Sequence, residues 1–230
     1  MEKTKLSKKF FATAFTLSGA TIGAGILGLP YVFSRSGFWI GSFWLLVLGL
    51  IMLFINLTVG EVSLRTKKIH QLPGYAEKYL GKTGKVLMLF AVLFGVYSAL
   101  LAYLIGEGQS LSWLFFGNFD YSVYFAIGFW LCMVLLFREG LRELKRVELY
   151  GVIAIIAIII VILFWFFPRI DTGNLSYFEF QGFFLPFGLV LFALLGFTAI
   201  SEMRLEIKGS EKSLKNAIIL GSVIPIILYF

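Results

Sequence analysis

Charge is scarce in this chain. Only 14% of its 230 residues are Asp, Glu, Lys or Arg, whereas a soluble domain carries about 25%. Too little polar surface is left to wrap a water-soluble core. Cysteine is nearly absent as well: Cys132 stands alone inside an apolar run, which excludes an internal disulfide framework. One cysteine and one histidine, His70, exclude metal centres built on clusters of those ligands. No Ser-His pair stands out. The one glycine-rich stretch lacks the Lys-Ser/Thr ending of a phosphate-binding loop and opens no soluble βα unit. No catalytic residue, metal or cofactor is therefore expected, and no enzyme.

What is present is apolar. Hydrophobic residues make up 59% of the chain and aromatics 18%, with a mean hydropathy of +0.90. A helix needs about 20 apolar residues to cross the hydrocarbon core. Six runs meet that need, at 10–33, 38–63, 86–113, 121–138, 149–167 and 184–203, and a seventh begins near 214. The runs are continuous rather than alternating, which favours helices over barrel strands. The first is too long for a signal peptide, and Leu29-Pro30-Tyr31 is a poor cleavage site. The seventh run carries no polar tail, so the chain is expected to be the front part of a longer protein.

The net charge of +7 does not point to nucleic acid once the charges are located. Eighteen of the twenty basic residues fall before run one or between runs two and three, four and five, and six and seven; only Arg35 and Arg169 fall on the other side. This asymmetry predicts a cytoplasmic N-terminus. Trp39, Trp44, Trp113 and Trp165 sit near run ends, where interfacial anchors belong. Glu61 and Arg65 are one turn apart and predict a surface ion pair. His70 reads as a solvated loop residue.

Run one is the least regular. Gly19, Gly23, Gly25 and Gly28 fall within ten residues, near the bilayer middle. Each glycine costs a helix about 1 kcal/mol relative to alanine. Close helix packing is one reading, since Gly19 and Gly23 form a GxxxG pair. A broken helix is the other. Pro30 reads as a helix-ending residue near the far surface. An unwound turn is tolerated in lipid only where it faces protein or a water-filled cavity. There its free N–H groups attract an anion, while carbonyls freed from the first half, at Gly19 and Ile22, are candidates for a coupling cation or proton. Gly196 places a second interruption in mid-run six, followed by Thr198, Ser201 and Glu202. Corresponding interruptions in two halves of a chain point to a transporter binding site.

Thr21 to Phe33, followed by Ser36-Gly37-Phe38, resembles the first-span signature of the amino acid/auxin permease family and the related aromatic and hydroxy amino acid permeases. These belong to the amino acid–polyamine–organocation superfamily. Gln71 to Lys82 resembles that family's first cytoplasmic loop, and Phe192 to Glu202 its sixth span. The resemblance implies an all-α membrane protein with a LeuT-like fold of two inverted five-helix repeats. On that plan residues 1–9 are a basic cytoplasmic tail and 10–167 the first repeat. Residues 168–183 form an extracytoplasmic loop, and 184–230 begin the second repeat. The implied activity is secondary active transport of an amino acid across the cell membrane, coupled to H+ or Na+. The amides of Gly23, Ala24 and Gly25 would bind the substrate carboxylate. The carbonyls of Phe192, Ala193 and Leu195 would face its ammonium group.

Span three lines the site in such a fold, which makes Tyr97 a candidate contact, against a competing role in helix–helix hydrogen bonding. Glu202 is the candidate proton carrier, against a solvated helix end paired with Arg204 or Lys208. The family has ten or eleven spans and about seven are found here. A short seven-span membrane subunit or binding module, inactive as a transporter by itself, is therefore the alternative. The partners expected are an amino acid and the lipid bilayer, with no nucleic acid. Oligomeric state and the identity of the amino acid are not legible.

Overall fold

The computed structural model describes residues 2–23, 25–138, 154, 157–169 and 171–230. No strand occurs among these residues. The helices are α1 (Glu2–Thr21), α2 (Gly25–Ser36), α3 (Phe38–Arg65), α4 (Leu72–Phe116) and α5 (Ser122–Arg138). They continue as α6 (Ala157–Arg169), α7 (Leu185–Ala193), α8 (Ile200–Glu206) and α9 (Leu214–Tyr229).

Every apolar run has a helical counterpart, but not every counterpart is long enough to cross. Among the described residues Phe38–Arg65, Leu72–Phe116, Phe180–Glu206 and Glu211–Tyr229 qualify by length and composition, and the bent pair Lys9–Thr21 with Gly25–Ser36 makes a fifth. Helix α5 has 17 residues, short of the usual requirement of about 20. The front of run five and the basic stretch Arg142 to Arg146 lie outside the described residues.

The chain divides into two compact units, Met1–Leu89 with Asp171–Phe230, and Phe90–Ile170. In the first unit α1 packs on α8 and α9, α2 on α7, and α3 on α9, α8 and α7. Two buried clusters form the core. One joins Ala14 and Leu17 of α1 to Ile200 and Met203 of α8 and to Leu214, Ala217 and Ile218 of α9. The other joins Leu29 of α2, Leu45, Leu48 and Met52 of α3, Val190 and Ala193 of α7, and Tyr229. Small residues permit the close approaches. Gly221 of α9 lies against Ala14 O and Leu17, and the Ser18 hydroxyl donates to Gly221 O at 3.0 Å. Asn56 Nδ2 donates to Ser222 Oγ at 3.1 Å, linking α3 to α9.

In the second unit α4 turns back into α5 across Gly117, whose φ is +69°. The Ser112 hydroxyl donates to Asn118 O at 2.8 Å, and Phe115 stacks on Phe125 at 5.6 Å. Helix α5 buries no residue, as befits a surface whose surroundings are lipid or further helices rather than water.

Three local expectations need correction. Pro30 does not end its helix, because α2 continues to Ser36. The stop is Gly37, at φ +99°. A proline removes one hydrogen bond, but a left-handed residue reverses the chain. Gln71 to Lys82 is not a loop. Pro73 sits at the second position of α4, where its missing N–H costs nothing. The helix runs on to a break at Gly81 (φ 74°, ψ −167°). Tyr75 and Ala76 are buried while Glu77 and Lys78 are exposed, so the segment is amphipathic. Trp44 is part-buried and donates its indole N–H to Phe183 O at 2.7 Å, so it ties the 168–183 segment to α3. The Glu61–Arg65 pair is present, exposed, at 2.5 Å.

A Cβ at Gly37 would collide with Tyr177 O, a main-chain atom. The adjoining Glu179 N–H donates to Ser36 O at 3.2 Å. Gly37→Ala is therefore expected to cost about 1–3 kcal/mol, read as a lower unfolding midpoint in detergent.

Candidate functional site

Both glycine interruptions break their helices. Helix α1 ends at Thr21 and α2 begins at Gly25, and the two halves are bent by 58°. Helix α7 ends at Ala193, and residues 194–196 are non-helical before the 3₁₀ turn Phe197–Ala199 leads into α8. The breaks lie against each other. A Cβ on Gly25 would stand 2.5 Å from Ala193 Cβ and 2.7 Å from its Cα. A Cβ on Gly196 would meet Thr21 Oγ1 and Leu17. Helix α2 therefore rests on the end of α7, and the end of α1 rests on the start of the second half.

The main chain is only partly satisfied there. Ile22 N–H donates to Ser18 O at 2.8 Å, and Ile26 N–H to Gly23 O at 3.2 Å. Neither the N–H of Gly23 nor that of Gly196 meets an acceptor among the described residues. Gly196 is buried and Gly23 half-buried; a fully buried donor left unmet costs about 1–3 kcal/mol, so such groups mark places where a ligand or water is received. The helix ends add fixed partial charges. The start of α2 is positive, while the ends of α1 and α7 are negative. A zwitterion, with its carboxylate at the first and its ammonium at the others, complements this arrangement.

The expected contacts fall unevenly on it. Gly23 and Ile22 lie in the bend, and Gly25 is buried at the start of α2. Ala24 lies outside the described residues. Gly19 is half-buried in α1 with open space beside it. Ala193 is buried, Phe192 half-buried and Leu195 exposed. Two of their three carbonyls already accept a hydrogen bond: Phe192 O from Leu195 N–H at 3.3 Å, and Ala193 O from the Tyr229 hydroxyl at 3.2 Å. Tyr97 belongs to the second unit, with its ring exposed. Glu202 is exposed at the start of α8.

Arg204, weighed with Lys208 as a partner for a solvated Glu202, is buried. Its guanidinium donates to Ser63 O and to Thr66 O at 2.7 Å. Thr16 of α1 donates to Glu206 of α8 at 2.8 Å. Sequence reasoning missed Tyr229, the lone tyrosine of the final apolar run. A polar side chain there was itself the available signal.

The model of the tryptophan/tyrosine permease family matches residues 6–230. The chain belongs to that family. It is therefore one of a family of permeases rather than of enzymes, and a multi-pass, all-helical membrane protein. The kinship expected from the first-span residues holds. The chain is 29% identical over 235 residues to a tyrosine-specific transport system, number 2, of Haemophilus influenzae, covering 97% of this chain and 57% of that one. It is 25% identical over 230 residues to glutamine transporter 2 of Aliivibrio fischeri, covering 96% and 58%. A stretch of 111 residues is 30% identical to an amino acid transporter of Arabidopsis thaliana, covering 48% and 27%. The chain thus spans a little over half the length of the bacterial permeases it matches. No solved structure matches it.

Proposed function

We propose that this permease moves an amino acid across the cell membrane as an ion-coupled secondary transporter. The observation that carries the reading is the face-to-face contact of two helix breaks, Gly25 on Ala193, beside the N–H of Gly23, which meets no acceptor among the described residues. The substrate carboxylate binds the amides of Gly23, Ala24 and Gly25 at the start of α2. The ammonium group faces the carbonyls of Phe192, Ala193 and Leu195. The bent pairs α1–α2 and α7–α8 belong to two inverted repeats, and alternating access proceeds by movement of one half against the other around this point. The N-terminus is cytoplasmic by the sorting of basic residues. The coupling ion is H+ or Na+, taken up near Gly19, Ile22 or Glu202. The names of the relatives make tyrosine and glutamine the first substrates to try.

The complete protein in proteoliposomes should accumulate a labelled amino acid under an imposed proton or sodium gradient. The driving force is about 2.3 kcal/mol per charge for each 100 mV. Uptake that ignores both gradients refutes coupling, and failure to bind any amino acid refutes the site.

A further inference from the structure

We propose that Tyr229 is a positioning residue for this site, acting through the two carbonyls that end α1 and α7. This rests on the transport reading above. Tyr229 comes from a third helix, α9, and is 8% exposed. Its hydroxyl donates to Thr21 O at 3.1 Å and to Ala193 O at 3.2 Å. Thr21 is the last residue of α1 and Ala193 the last of α7. Two negative helix ends thus converge on one hydroxyl proton, which they share. Without it they repel each other, because both carry the partial charge of a helix C-terminus.

Neither carbonyl is a remote anchor. Ala193 is the residue against which Gly25 packs, and Thr21 is the residue that covers Gly196. Fixing the two carbonyls therefore fixes the first amide of α2 and the turn at Gly196 together. The hydroxyl is itself held from outside the site. Helix α9 is tied to α1 by Ser18 and to α3 by Asn56. Gly49 of α3 admits Ile226, one turn before Tyr229. The ring packs in the cluster with Leu45, Met52 and Val190. The ring supplies packing and the hydroxyl supplies position, so the two contributions can be separated.

The test uses the complete protein with labelled tyrosine and glutamine. Binding of either by the wild type comes first, and its absence defeats the transport reading rather than this proposal. Given wild-type binding, Y229F keeps the ring and loses the proton. It should raise Kd and KM by about five- to thirty-fold, as for a lost buried hydrogen bond and its orphaned acceptors. Vmax per inserted molecule should fall much less. A fall in Vmax at unchanged KM would mean that the residue merely packs, and would overturn the proposal.

4-Aminophenylalanine at position 229 keeps the ring and puts an N–H donor where the hydroxyl stands. It should recover most of the wild-type affinity that Y229F loses. Binding far below that of the wild type overturns the proposal, and this arm decides alone if Y229F yields no folded protein.

Discussion

Gly25→Leu will reach the membrane and transport nothing. The reason is what a Cβ at this position meets. Its three nearest neighbours are Ala193 Cβ at 2.5 Å, Ala193 Cα at 2.7 Å and Ala193 N at 3.3 Å. None of these atoms can rotate aside. Helix α2 must move away from α7, and overpacking of this kind costs about 1–3 kcal/mol. That cost is bearable for folding, since the second cluster still holds α2, α3 and α7 together. It is not bearable for a site made of main-chain groups. A misplacement of about 1 Å at such a site costs on the order of a hundredfold. Gly25→Ala should already lose most uptake, and leucine should abolish it.

Gly28→Ala is the control. Its Cβ would meet Leu189 Cδ2 at 2.6 Å, the far end of a flexible side chain, so uptake should fall only a few-fold. Uptake normalised to inserted protein, with insertion checked by protease protection, measures both. Uptake by Gly25→Leu within threefold of wild type would mean that the break serves packing alone.

The contrast between these glycines shows how far the sequence could be read. Four glycines in ten residues marked a helix too weak to cross unbroken, and Gly196 marked its counterpart, because a glycine's helix penalty is local and additive. Which glycine touches which helix was not legible, since that depends on partners far along the chain. Tyr229 reaches a carbonyl 208 residues away, and Arg204 reaches one 141 residues away. Resemblance misled at Gln71 to Lys82, where a likeness to a family loop hid an amphipathic helix whose Tyr75 and Tyr79 hold it to α3. Their hydroxyls meet Ser63 Oγ at 2.9 Å and Thr66 Oγ1 at 2.8 Å. Arg204 entered the reading of the sequence only as one of two partners, with Lys208, for a solvated Glu202. On a helix, however, residues two apart do not face each other.

Arg204→Leu is the second large effect expected, and it falls on stability. Arg204 is 9% exposed, and its guanidinium donates to Ser63 O, Ser63 Oγ and Thr66 O. No carboxylate is among them. The charge is instead offset by the carbonyls that close α3, a 28-residue helix whose C-terminus carries negative partial charge. The surroundings reinforce the joint. Ser201 of α8 donates to His70 O at 2.9 Å, and the Tyr75 hydroxyl, bonded to Ser63, also accepts from His70 N–H at 3.2 Å. Helix α8, the half of span six beyond the break, is thereby fastened to the end of α3 and to the segment that starts α4.

Leucine would fill much of the volume but leave these carbonyls orphaned, at a cost of about 2–4 kcal/mol. Lysine would keep the charge as a point and lose the fork that reaches both carbonyls, so it should recover about half of that loss. Unfolding midpoints in detergent should therefore rank wild type above Arg204→Lys above Arg204→Leu. Equal midpoints would mean that the joint between α8 and α3 adds nothing to the fold. The predicted ranking would mean that the second half of the broken span is held at its far end by one cation.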